Sequence, residues 1–119
     1  MSDIRRFPLV IPLVRKAIST DSFTVRTPKL RPGDTLILHH ICCCNETSDG
    51  ELVTVGVMKD TLSMYIKTVT LTTKLLYYKV KLDLDLPSDY QVIIRVIDPN
   101  DGDIYKFNIF GHLEVFCKE

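Results

Sequence analysis

The chain has 119 residues, with 15 Lys and Arg against 15 Asp and Glu, 45% hydrophobic residues, four cysteines and no tryptophan. That length holds one domain with one core, which excludes a two-domain enzyme, and high apolar content at zero formal charge is the opposite of a disordered composition. The apolar run at residues 7–14 is too short to span a bilayer; Pro8 and Pro12 break it and charged residues flank it, so neither a membrane segment nor a signal peptide is expected.

Charge is uneven along the chain. The first 31 residues hold Arg5, Arg6, Arg15, Lys16, Arg26, Lys29 and Arg31 against only Asp3 and Asp21, which leaves the remainder acidic. Residues 1–21 are therefore expected to form a basic, apolar N-terminal arm that leaves the domain at 22–119 and lies on a neighbouring subunit. Its candidate partner contacts are Arg5, Arg6, Phe7, Leu9, Ile11 and Leu13. The plainer alternative is a charged surface segment with no partner.

From residue 22 onward the readable period is two, the signature of strands. Phe23 and Val25 alternate with Thr24 and Arg26, and Pro28 and the Arg31-Pro32-Gly33-Asp34 turn stop that strand. A long β-favouring run follows at 35–44. A polar turn at 45–50 is expected to return the chain antiparallel, into a strand with Val53, Val55 and Val57 on one face. After a turn at Lys59-Asp60, Leu62, Met64 and Ile66 are expected to share one face and Ser63, Tyr65 and Lys67 the other, with continuation through 69–71. The clearest alternation sets Leu76, Tyr78, Val80, Leu82 and Leu84 against Tyr77, Lys79, Lys81, Asp83 and Asp85. The run 90–97 is apolar on both faces except at Arg95. The Asp98-Pro99-Asn100-Asp101-Gly102-Asp103 segment reads as a tight hairpin turn, and the last strand places Tyr105, Phe107, Ile109, Leu113 and Val115 together. The expected fold is an all-β, antiparallel, jelly-roll-like β-sandwich of seven to eight strands with an N-terminal arm.

Chemistry-bearing residues are sparse. His40, Cys42 and Cys44 share a strand face and invite a metal, with His112 or Cys117 as a fourth ligand, but the spacings of zinc knuckles are missing and adjacent His39 and His40 point to opposite faces of a regular strand. Cysteines at 42, 43, 44 and 117 do not make a disulfide framework; they read as reduced thiols packed as small hydrophobes. Asp83 and Asp85 stand about 7 Å apart on one face, a separation loosely suited to a glycosidase pair, yet Lys79 and Lys81 beside them describe a solvated mixed-charge surface. The acidic segment 98–103 begins like a calcium loop, but its glycine falls one position early and the closing Glu is missing. The sequon Asn45-Glu46-Thr47 reads as a polar turn. An acidic body without a stacking platform argues against nucleic-acid binding. No catalytic residue, metal or cofactor is expected.

One resemblance adds to this. Leu86-Pro87-Ser88-Asp89-Tyr90-Gln91 entering an apolar strand, Gly102-Asp103, and the ending Phe107 to Glu114 with its Gly111-His112-Leu113-Glu114 close, together with Val55-Gly56-Val57, resemble the small β-sandwich decoration or cement proteins of tailed-phage capsids, over residues 52–116. The resemblance implies a noncatalytic structural virion protein, made in the host cytoplasm and carried on the capsid surface. It would bind the major capsid protein or another virion protein and its own copies, with no membrane. The Cys42 to Cys44 run and the basic arm depart from that pattern. The alternative function is a receptor- or carbohydrate-binding β-sandwich module of a tail or adhesin, against which the lack of tryptophan counts.

Overall fold

The computed structural model describes the backbone of residues 2–45, 52–70 and 78–118, and the side chains of these except 2, 3, 69, 78–83 and 116–118. Eight strands form: β1 (Ser2–Lys16), β2 (Phe23–Arg26), β3 (Thr35–Asn45), β4 (Leu52–Lys59), β5 (Leu62–Thr70), β6 (Tyr78–Pro87), β7 (Tyr90–Ile97) and β8 (Ile104–Lys118). They make two antiparallel four-stranded sheets, ordered β1-β8-β3-β6 and β2-β7-β4-β5.

The order has a simple origin. β1 pairs with β8, β2 with β7, β3 with β6 and β4 with β5, so the chain is one long antiparallel ribbon folded at the β4–β5 turn. Rolling that ribbon brings β3 onto β8 and β4 onto β7, which is the jelly-roll arrangement and the expected all-β sandwich. It also corrects two local expectations. β3 and β4 lie in different sheets, so the chain leaving Asn45 does not return as β3's neighbour, and β7 and β8 likewise lie in different sheets, so 98–103 is a crossing between sheets rather than a hairpin turn. The remainder of the 45–50 turn and of the sequon, together with Leu71, Leu76 and Tyr77, lie outside the described residues.

The core fills with the inward positions of seven strands, β1 contributing Leu9, Ile11 and Leu13 at its margin. Leu36, Leu38, Ile41, Val53, Val55, Val92, Ile94, Val96, Tyr105, Phe107 and Ile109 are buried in it, and Phe23, Val25, Leu84 and Tyr90 pack against its margin. The alternation expected of β4 and β8 is the one observed, and β7, expected to be apolar on both faces except at Arg95, buries Val92, Ile93, Ile94 and Val96 and exposes Arg95. At the end of β6, Leu84 and Leu86 turn to the core and Asp85 to solvent. Phe23 meets Tyr105 edge to face at 5.6 Å, and the Arg15 guanidinium lies 5.1 Å from the Phe23 ring centre.

The turns follow their residues. Pro32 and Gly33 occupy the centre of a turn closed by Asp34 N–H donating to the Arg31 carbonyl at 3.1 Å, and Gly33 takes φ +90°, which favours glycine. Asp60 and Thr61 form the two-residue β4–β5 loop, with Asp60 at φ 56°. The sheet crossing at 98–103 is tied down by Ala17 N–H to the Asp103 carbonyl, Gly102 N–H to the Ala17 carbonyl, and Asn45 Nδ2 donating to the Asp103 carboxylate at 3.1 Å.

Residues 2–16, expected as an arm lying on a neighbour, are the edge strand of their own sheet, in register with β8 from Ser2 opposite Lys118 to Lys16 opposite Ile104. Pro8 and Pro12 are compatible with this because they are four apart and so occupy equivalent positions in the ladder. A proline is accommodated on an edge strand where its missing N–H faces away from the partner.

Candidate interaction surface

The features that shape the outer face of the β1-β8-β3-β6 sheet begin at a glycine. A Cβ on Gly111 would stand 2.1 Å from the Ile37 carbonyl oxygen, so only glycine permits β3 to approach β8 this closely. At that place β3 carries one extra residue relative to β8: Leu38 registers with Gly111 and His40 with Phe110. The extra residue is His39, and the bulge keeps Leu38 and Ile41 in the core while turning His39 and His40 to the same side. This overturns the expectation that they point to opposite faces.

All three histidines of the chain consequently meet on one surface. His39 Nε2 and His112 Nδ1 share a hydrogen bond at 2.9 Å with the rings edge to face, the His40 ring centre is 6.3 Å from that of His39, and Phe110 lies 5.9 Å from His40. The cysteines split by parity: Cys43 is in the core, Cys42 is half-buried on the outer face, and Cys44 is buried. Burial, reinforced by Cys42 and Cys44, pushes the Cys43 thiol up to about 12, so it is a neutral, inert core group. Among the described residues no group of three or more His, Cys, Asp or Glu side chains could hold a metal ion. The side chains of Asp83 and Cys117 lie outside the described ones.

The expected contact residues separate into two sets. Leu9, Ile11 and Leu13 pack against the protein's own core. Arg5, Arg6 and Phe7 are exposed, with Arg6 Nε donating to Glu114 at 2.8 Å. The exposed apolar residues of β1 are instead Ile4, Val10 and Val14, at 53%, 53% and 64% exposure, together with Phe7. Ile4, Val10 and Val14 occupy the parity opposite to Leu9, Ile11 and Leu13, which a two-residue period assigns once β1 is recognised as a strand. Val10 registers with Phe110, and Phe110 with His40, so an apolar and aromatic band crosses three strands. Near the far end of β1 a cleft of about 170 Å³ opens beside Arg15, Lys16 and Ile18; Ser19 and Ser22 on its wall already accept hydrogen bonds from the backbone N–H groups of Asp21 and Asp98.

Fold and surface together define a jelly-roll domain with a broad, partly apolar outer sheet face and no assembled catalytic group among the described residues. No protein-family profile matches the chain, and no curated protein matches it. Among solved structures it is similar to the core of Drosophila NLP, whose structure was solved for insight into pentamer formation and histone binding, with 19% identity, a TM-score of 0.46, and coverage of 87% of this chain and 96% of that one. It is also similar to a chain of infectious bursal disease virus, Gt strain, with 12% identity and a TM-score of 0.35 over 95% of this chain. It spans about a third of the length of that viral chain (33%).

Proposed function

We propose that the protein is a noncatalytic structural virion subunit, a decoration or cement protein of a tailed-phage head. In this reading it is made in the host cytoplasm and binds the major capsid protein through the outer face of the β1-β8-β3-β6 sheet. The observation that carries the proposal is the row of exposed Ile4, Val10 and Val14 on one face of β1, with Arg6 on the same face, on a strand whose other face turns Leu9, Ile11 and Leu13 to the core. Contiguous exposed apolar surface with a charged rim is what protein partners cover. Many copies of one modest contact on a repeating shell attach firmly through multivalency. The resemblance of residues 52–116 to capsid decoration proteins supports the same reading.

The test is a Val10→Asp, Val14→Asp double variant, which alters the outer face and leaves the core side of β1 intact. Virus particles from the producing culture are banded on a density gradient and analysed by quantitative mass spectrometry. The wild-type chain is expected in many copies per particle, and the variant is expected to stay in the soluble fraction with an unchanged melting temperature. A wild-type chain absent from the particles, or a variant that bands with them undiminished, overturns the proposal.

A further inference from the structure

His39 and His112 meet across β3 and β8 at the centre of the outer face. His39 is the extra residue of the β3 bulge, and His112 follows Gly111, the residue that admits the bulge. Their ring centres are 5.1 Å apart and their facing nitrogens, His39 Nε2 and His112 Nδ1, are 2.9 Å apart. Nearly all of the remaining centre-to-centre distance is ring radius, so the two nitrogens point straight at each other. That is the geometry of an N–H···N bond, which holds one hydrogen. The fold has a second bulge, where Lys67 rather than Ile66 registers with Val55 against the regular alternation expected of β5, but no histidine lies there.

This geometry limits the protons that the pair can hold. Two neutral imidazoles satisfy the bond, one donating and the other accepting, and one added proton leaves it in place as a charge-assisted bond. A second added proton puts N–H on both facing nitrogens, with no acceptor between them and a positive charge on each ring. Both rings are half-buried, where like charges are screened less than in open solvent. The closed pair thus gains at most one proton and the open pair two, so acid drives opening. The surrounding charges are of both signs and nearly balanced. On β8 these are Glu114, ion-paired with Arg6 of β1, and Lys106; on β6 the exposed Asp85 registers with Ile37, Lys81 with His40 and Lys79 with Cys42, and Asp83 lies between Lys81 and Asp85. The β1 residues opposite His112 and Phe110 are Pro8 and Val10, which carry no charge. On β3 itself the titratable neighbours are His40, its ring centre 6.3 Å from that of His39, and the half-buried Cys42.

We infer that the His39–His112 pair is an acid-sensitive latch: once both rings are protonated they part, the centre of the outer face becomes charged, and a protein partner seated on the adjoining Phe110 and Val10 band is released. The backbone beneath does not have to move, because the bulge is set by the approach of Gly111 to Ile37, and the rings separate by turning about their own side-chain bonds. A partner that covers this face takes the new charges out of water, which costs binding. Release rests on the proposed shell contact through the outer face; opening of the pair does not.

The experiment has two arms, both on the full chain. In the first, the purified protein is followed by NMR from about pH 8 to pH 5, the range in which histidine charge changes. The ring-to-ring nuclear Overhauser contacts between His39 and His112 are expected at the upper end and lost at the lower, with the backbone amide spectrum retained. Contacts that persist at pH 5, or that vanish only together with the amide spectrum as the chain unfolds, overturn the inference. In the second arm, particles are banded at both pH values and the chain is counted. Wild-type copies per particle are expected to fall about tenfold or more at pH 5, since each extra proton held by the open form shifts the equilibrium up to tenfold per pH unit. His112→Asn keeps an acceptor in place of Nδ1 and takes no charge, and His39→Gln does the same for Nε2; both variants are expected to stay on the particles at pH 5. Wild type retained at pH 5, or variants released as the wild type is, overturns the release. A wild-type chain absent from particles at pH 8 removes the shell contact instead, and the first arm still decides the latch.

Discussion

Replacing Gly111 by alanine tests whether the β3 bulge is held by backbone approach. The added Cβ would meet the Ile37 carbonyl oxygen at 2.1 Å, its carbon at 3.1 Å and Leu38 Cα at 3.3 Å, all backbone atoms that no rotamer change can move. Relief requires β3 to retreat by about 1 Å, which takes the flanking β3–β8 hydrogen bonds outside their normal range. Two weakened bonds at about 1 kcal/mol each, with overpacking strain of roughly 1–3 kcal/mol, give an expected loss of about 3–5 kcal/mol. That is a large share of the 5–15 kcal/mol typical of a domain (order of magnitude). Urea unfolding supplies the number. Gly33→Ala is the control: Gly33 has φ +90° and nothing within 4 Å, so it costs only the left-handed backbone penalty of about 1–2 kcal/mol. The Gly111 variant should also lose the ring-to-ring nuclear Overhauser contacts between His39 and His112. A loss no larger than that of Gly33→Ala, or histidine contacts that persist, would refute the argument.

Two further expectations concern buried groups. Asn45 is fully buried and donates to Asp103, so Asn45→Ala should cost about 2 kcal/mol in thermal or urea unfolding by loosening the anchor of the 98–103 crossing; a change under about 0.5 kcal/mol would mean the crossing is held elsewhere. Cys43 keeps its proton in the fold up to about pH 12, whereas an unfolded thiol gives it up near 9.0. Its contribution is therefore complete below pH 9 and is lost as pH rises from 9 towards 12, at up to about 1.4 kcal/mol per pH unit. Cys43→Val should flatten the alkaline fall of stability in that window, and an identical slope would place the titration at another group.

Much of the fold was legible because burial writes a two-residue period. Tyr105, Phe107 and Ile109, or Val53, Val55 and Val57, declare their strand and its inner face without reference to anything distant. What a strand pairs with is not written locally. The polar residues after Asn45 and the Asp98 to Asp103 segment carry ordinary turn chemistry, which serves a crossing between sheets as well as a hairpin. Residues 1–21 are expected as an arm because their basic charge departs from the acidic remainder, whereas an edge strand carries that charge equally well and tolerates Pro8 and Pro12. The apolar half of the candidate surface, Ile4, Val10 and Val14, was missed with it. His39 and His40 reached one face only through a register slip whose cause, Gly111, lies far along the chain. A lone glycine in a strand pattern hints at such a bulge, though not at its partner.

The pairing of β1 with β8 also sets when the molecule becomes competent. β1 is made well before its partner, since Ser2 through Lys16 find their hydrogen-bond partners only between Ile104 and Lys118. Long-range pairing of this kind is slow and comes late in folding. A chain whose β8 has not yet been made therefore has no ordered β1, and it cannot join an assembly that depends on that strand. The outer face of that sheet is thus displayed only once residues 104–118 have been made and paired with β1.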